Sequence, residues 1–345
     1  DVGGAVTIAD NSTLTCHPFE EGFEAGIRVD AQELTVAPYA TIDATAKGYP
    51  KGYWWNWKAT NTAAKVGGSH GGRGSWGNQP EGSSNPVYGN LYDPVTAGAG
   101  GSSRSGGGVI KLDIAGTLTV DGKITVDGED GSGPGAGGSV NIRTDVLTGD
   151  GEITSEGGYW NSNQYGHGSG GRIAVLEYSL LAGAFSEEHI GTDDFGITAI
   201  GGSTQSCYGG AAGTVFLQAA ADTWGDLVVD NRGGCQSAAA STVLPSVPPD
   251  VLGAGNLTAD TLAKPGATWV PNVWAGYLLT PNRDEGEATL TDNTTFTITG
   301  NTHDTITVAG GDMTGVAGAG DACCDAAGDG DRAAAAAAAN VDATG

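Results

Sequence analysis

Short runs in which apolar and polar residues alternate recur along the chain, each closed by glycine. One copy reads GGGVIKLDIAGTLTVDGKITVDG (106–128) and the next GGSVNIRTDVLTGDGEITSEGG (137–158). A third, GGRIAVLEY (170–178), leads after a loop to FGITAIGG (195–202). A fourth begins AGTVFLQ (212–218) and continues as GDLVVDNRGG (225–234), and an earlier one, IRVDAQELTVAPYATIDATAKG, starts at Ile27. Alternation over about four to six residues is the period of a strand, and strands this short cannot bury a useful face alone.

Stacking solves that problem. Anchoring the copies on Val109, Val140, Ile173 and Val215 gives an uneven period of roughly thirty to forty residues, as expected of a solenoid with elastic loops. The pattern predicts an inward column of Ile42, Ile124, Ile153 and Ile197, and an outward ladder of Asp43, Thr125, Thr154 and Thr198. Four such aliphatic side chains contribute roughly 6 to 12 kcal/mol before entropy is subtracted, so successive turns of the chain must cooperate. The fold class expected is all-β: a right-handed parallel β-helix over 1–244, with long loops on one edge and an insertion at 48–106. An antiparallel sandwich is the alternative, with hairpins closed at Asp121-Gly122 and Asp150-Gly151. From about Pro245 the texture changes: VLPSVPPD is Pro-rich, and 245–345 reads as a small C-terminal β-module or irregular final turns with an acidic, Ala-rich tail.

The loops at 48–106, 128–138, 157–171 and 201–213 all follow the same strand of the repeat, so in a solenoid they emerge side by side and build one surface. The largest carries Tyr49, Tyr53, Trp54, Trp55, Trp57, Trp76, Tyr88 and Tyr92. Tyr53, Trp54, Trp55, Trp57 and Trp76 are candidates for stacking on a glycan or anchoring a partner, and equally for a private core that holds a long loop down. GGSHGGRG (67–74) and GHGSGGR (166–172) pair His70 with Arg73 and His167 with Arg172, a device used twice. Glycine permits close backbone packing, and the His and Arg donors would satisfy loop carbonyls at the junction.

Composition narrows the partners. Glycine supplies 61 of 345 residues without a three-residue period, which excludes collagen. Forty acidic against 15 basic residues give a net charge of −25, a surface that repels nucleic-acid phosphates and anionic lipid and attracts cations. Ca²⁺, a possible but not required ligand, suits the oxygen donors, and Asp321, Asp325, Asp329 and Asp331 are candidate ligands near the end of the chain, although their spacing completes no calcium loop. Seven alanines occupy 333–339. None of the five cysteines forms a C-x-x-C pair, and Cys207 and Cys235, both in Gly-rich loops, are the candidate disulfide in an oxidising compartment. No apolar run reaches the about 18 residues of a membrane span.

The GGGVIKLDIAGTLTVDGKITVDG stretch, followed by GAGGSVNI and GSGGRIAV, resembles Gly-rich parallel β-helix regions of very large secreted bacterial surface proteins. The later WVPNVWAGYLLTPN and NTTFTITGNTHDTITV stretch looks like a module that follows such regions. The resemblance implies an extracellular or cell-surface protein used in adhesion or as a fibre component, and the residues themselves offer no convincing catalytic site. On this reading DVGGAVTIADNSTLTC offers a strand to a neighbour, and the chain self-associates through strand edges into a filament or surface assembly. Two alternatives remain open: a polysaccharide-active β-helix lyase or glycosidase, with Asp127, Glu152 and Glu156 as its carboxylates, and a non-catalytic carbohydrate-binding module using the Trp54, Trp55 and Trp57 loop.

Overall fold

The computed structural model describes residues 2–21, 26–54, 58–59, 65–77, 84–161, 165–203, 208–222, 225–234, 240–242, 244, 250–251, 255–265, 272, 274–275, 278–279, 281, 296–318 and 322–323. The chain divides into two compact units, Asp1–Val243 and Leu244–Gly345. Among the described residues strands dominate, helix is confined to three 3-10 turns, and no helix is long and apolar enough to cross a membrane.

In the first unit the chain passes back and forth between two sheets. From β1 (Val2–Ile8) in the first sheet it crosses to β2 (Thr13–Thr15) in the second, returns to β3 (Ile27–Val36) and crosses again to β4 (Thr41–Asp43). A two-strand ribbon, β5 (Tyr53–Trp54) and β6 (Lys58–Ala59), lies within the long insertion. The alternation then resumes with β7 (Val109–Val120), β8 (Lys123–Thr125), β9 (Ser139–Thr148), β10 (Glu152–Thr154), β11 (Arg172–Tyr178), a short β12 (Leu180–Leu181) on β9, β13 (Ile197–Thr198) and β14 (Thr214–Ala219). Among the described residues of the two sheets these neighbours pair in parallel, except β15 (Asp226–Val228), which runs antiparallel along the outer edge of β14.

The register explains the repeat. Leu14, Ile42, Ile124, Ile153 and Ile197 are successive partners across the second sheet, and the four isoleucines are buried. Ile27, Ile110, Val140, Ile173 and Val215 form the matching row in the first. Val109 was the anchor expected opposite Val140, but it pairs with Ser139. The glycine run 106–108 offers no alternating side chains to mark the phase there, and one residue of slip changes the face on which a side chain lies. Asp121-Gly122 and Asp150-Gly151 do not close hairpins; they turn the chain from a first-sheet strand into a second-sheet strand. Asp43, Thr125, Thr154 and Thr198 are successive partners beside the isoleucines, but the three threonines are buried rather than open to solvent.

In the second unit β16 (Asp250–Val251) pairs antiparallel with β21 (Ala322–Cys323). Strands β17 (Thr261–Ala263), β18 (Leu278–Leu279), β19 (Phe296–Asn301) and β20 (Thr305–Ala309) form an antiparallel sheet. Phe296, Ile298, Ile306 and Val308 on its buried face alternate with exposed threonines, as the sequence of β19 and β20 dictates.

Candidate functional site

Each long loop of the first unit leaves a second-sheet strand, and the loops pack on one another through backbone hydrogen bonds. Gly98 donates to Gly107, Gly107 to Ala136, Gly137 to Ser169, and Gly170 to Ala211. Gly68 donates to Pro134, and Ser169 returns a bond to Gly68, so the insertion is woven into the stack. Glycine is required here by proximity: a Cβ on Gly107 would run into the Val126 carbonyl, and one on Gly171 into that of Gly138. The backbone polar groups of these segments, which form no ladder of their own, are thereby satisfied inside the molecule.

The paired His/Arg signatures come together across loops. His70 is fully buried, with Nδ1 2.8 Å from the Gly137 carbonyl and Nε2 2.9 Å from the Thr96 hydroxyl. Because a carbonyl only accepts, Nδ1 carries the proton and Nε2 accepts from Thr96. Burial, reinforced by the charge of Arg172, depresses its pKa to about 3. Arg172, also fully buried, donates from Nε to the Tyr88 carbonyl (2.9 Å) and from Nη1 to Thr214 (3.0 Å). His70 thus neighbours Arg172 rather than working with Arg73. His167 takes the opposite tautomer: Nδ1 accepts the Trp160 amide at 3.3 Å, leaving the proton on Nε2, which is buried without a partner. Burial lowers its pKa to about 4. His70 and Arg172 donate to loop carbonyls, whereas His167 accepts a loop amide, so the two signatures are not one device used twice.

The threonines and candidate carboxylates form one network. Thr154 donates to Thr125 at 3.0 Å, and both hydroxyls reach Asp127 Oδ2, at 2.8 Å from Thr125 and 3.0 Å from Thr154. Asp127 Oδ1 accepts the Glu156 amide at 2.7 Å, and Glu156 accepts from Thr198 at 2.8 Å. Burial, with Asp127 nearby, raises the Glu156 pKa. Asp127 therefore has both oxygens engaged in tying adjacent strands. Glu152 instead points to solvent, 3.6 Å from Lys123 Nζ.

The aromatic candidates divide. Tyr53 is exposed; Trp54 is half-buried with its ring 5.6 Å from that of Tyr88. Trp76 is buried, 6% exposed, and so differs from the exposed Tyr53. Trp55, Trp57, Cys207, Cys235, Asp321, Asp325, Asp329 and Asp331 lie outside the described residues. Sequence reasoning passed over Tyr159 and Trp160, which expose 49% and 43% of their surface early in the 157–171 loop. Only their exposure, invisible in composition, distinguishes them from the buried rings. Arg73 is partly buried, its backbone bonded to Ser241 and Ala211. No family model matches the chain, and no curated protein or solved structure matches it.

Proposed function

We propose that the chain is an extracellular structural or adhesive module, a right-handed parallel β-helix of the Gly-rich kind found in large secreted bacterial surface proteins, which associates with further copies through strand edges. The observation that carries this reading is β1. Its seven residues, VGGAVTI, contain no charge and no proline, and its edge opposite β3 has no partner strand among the described residues. Edges that remain solitary are ordinarily blunted by lysine, proline or a covering segment, as β15 covers β14 at the other side of the sheet. Val2 is half exposed there, and Val6, Ile8 and Leu14 are only partly buried, so a stacking strand would cover them.

The test is sedimentation velocity with negative-stain electron microscopy on the chain and on an Ala5→Lys/Thr7→Lys variant, both positions being exposed. Polymers or discrete oligomers are expected for the unaltered chain and monomers for the variant. A monomeric unaltered chain at tens of micromolar, or equal assembly of both, would overturn the self-association.

A further inference from the structure

We infer that Tyr159 and Trp160 form a platform on which a neutral polysaccharide chain stacks. The inference concerns a face distinct from the β1 edge and does not depend on assembly there.

The backbones of both residues are anchored. Tyr159 donates its amide to Asp130 (2.9 Å) and accepts from Gly131 through its carbonyl (3.0 Å), which pins it to the preceding loop tip. Trp160 is pinned by its amide bond to the buried His167. The His167 amide donates to the Ser75 hydroxyl at 2.7 Å, and that hydroxyl donates to the Tyr208 carbonyl, so a third exposed aromatic is tied to the same support. Tyr165, in the same loop, is different: Lys65 Nζ lies 5.0 Å from its ring centre and occupies that face. Beneath them the glycine segments are cross-bonded, so little ordering remains to be done on binding.

Size and charge choose the occupant. At roughly half exposure the two rings offer about 100 Å² each, far below the about 800 Å² per partner of a stable protein interface, but enough to cover sugar rings. Aromatic faces stack on the C–H faces of pyranoses, and the exposed Asp130 carboxylate beside Tyr159 accepts hydroxyl hydrogens. A polyanionic glycan is disfavoured by Asp130 and by the net charge of −25.

The experiment is isothermal titration of the intact chain with neutral hexasaccharides of glucose, mannose, galactose and N-acetylglucosamine, and with oligogalacturonate as the anionic comparison. Binding of at least one neutral hexasaccharide is expected, weakened at least tenfold by Trp160→Ala and less by Trp160→Phe. Tyr39→Ala, which removes an 82% exposed ring elsewhere, should leave it unchanged. Saturation-transfer NMR on the unaltered chain should show signal from sugar C–H protons, a readout that stands even if Trp160→Ala folds poorly. Silence across the neutral panel, preference for oligogalacturonate, or full binding by a folded Trp160→Ala would overturn the platform. Sedimentation should be the same for Trp160→Ala and the unaltered chain, so failure here is separable from failure of the assembly reading.

Discussion

Ile124 and Ile153 are direct register partners on neighbouring parallel strands, and neither exposes any surface. Both are interior to a column of five whose end members, Leu14 and Ile197, have a register partner on one side only among the described residues. The hydrophobic contribution should therefore depend on position in the column rather than on residue type.

Ile153→Ala should destabilise the first unit by about 2 to 5 kcal/mol, because the void lies between two packed neighbours that cannot collapse into it. Leu14→Ala, at a partly buried position, should cost less than half as much. Urea unfolding followed by circular dichroism decides: equal losses would mean that the column is not the cooperative element.

The glycine stack makes a sharper demand. In Gly171→Ala the new methyl would meet the Gly138 carbonyl and the Ser155 hydroxyl, both fixed by the backbone network. The loss should exceed about 3 kcal/mol, beyond ordinary overpacking. Gly4→Ala, where nothing lies within 4 Å, is the matched control and should change the melting temperature little. A tolerated Gly171→Ala would show that the loops separate more easily than their hydrogen bonds imply.

The isoleucine columns were legible because two periodicities coincide in them: alternation within each strand, and recurrence about thirty residues later. Side-chain burial outside the columns was not, because it depends on what covers the sheets. Thr125, Thr154 and Thr198 read as outward and are outward of the isoleucines, yet they are buried in a network with Asp127 and Glu156. Trp76 and Trp160 sit in loops of the same composition, and one is buried while the other is exposed. The histidine signatures announced a junction, but His70 meets Arg172 through packing between distant loops that no local spacing encodes, while His167 bonds to Trp160 within its own loop.

Acid should loosen that junction. Burial holds the His70 pKa near 3 and the His167 pKa near 4, against about 6.5 in the unfolded chain. Between those values the unfolded state binds protons that the folded state refuses, so stability is fully present above about pH 6.5 and declines as pH falls toward 4. Glu156, whose pKa burial raises, acts in the opposite sense near the acid end of this range, since the folded state takes up its proton first. Comparing the chain with a His70→Gln variant cancels that contribution and the remaining carboxylates. Glutamine loses some hydrogen bonding and lowers stability at pH 7, but it carries no proton-linked term. The urea midpoint of the unaltered chain should therefore fall more steeply from pH 7 to pH 5 than that of His70→Gln, by up to about 1.4 kcal/mol per pH unit for the one histidine. Parallel pH profiles for the two proteins would mean that the imidazole is protonated in the folded state and that its buried, neutral assignment is wrong.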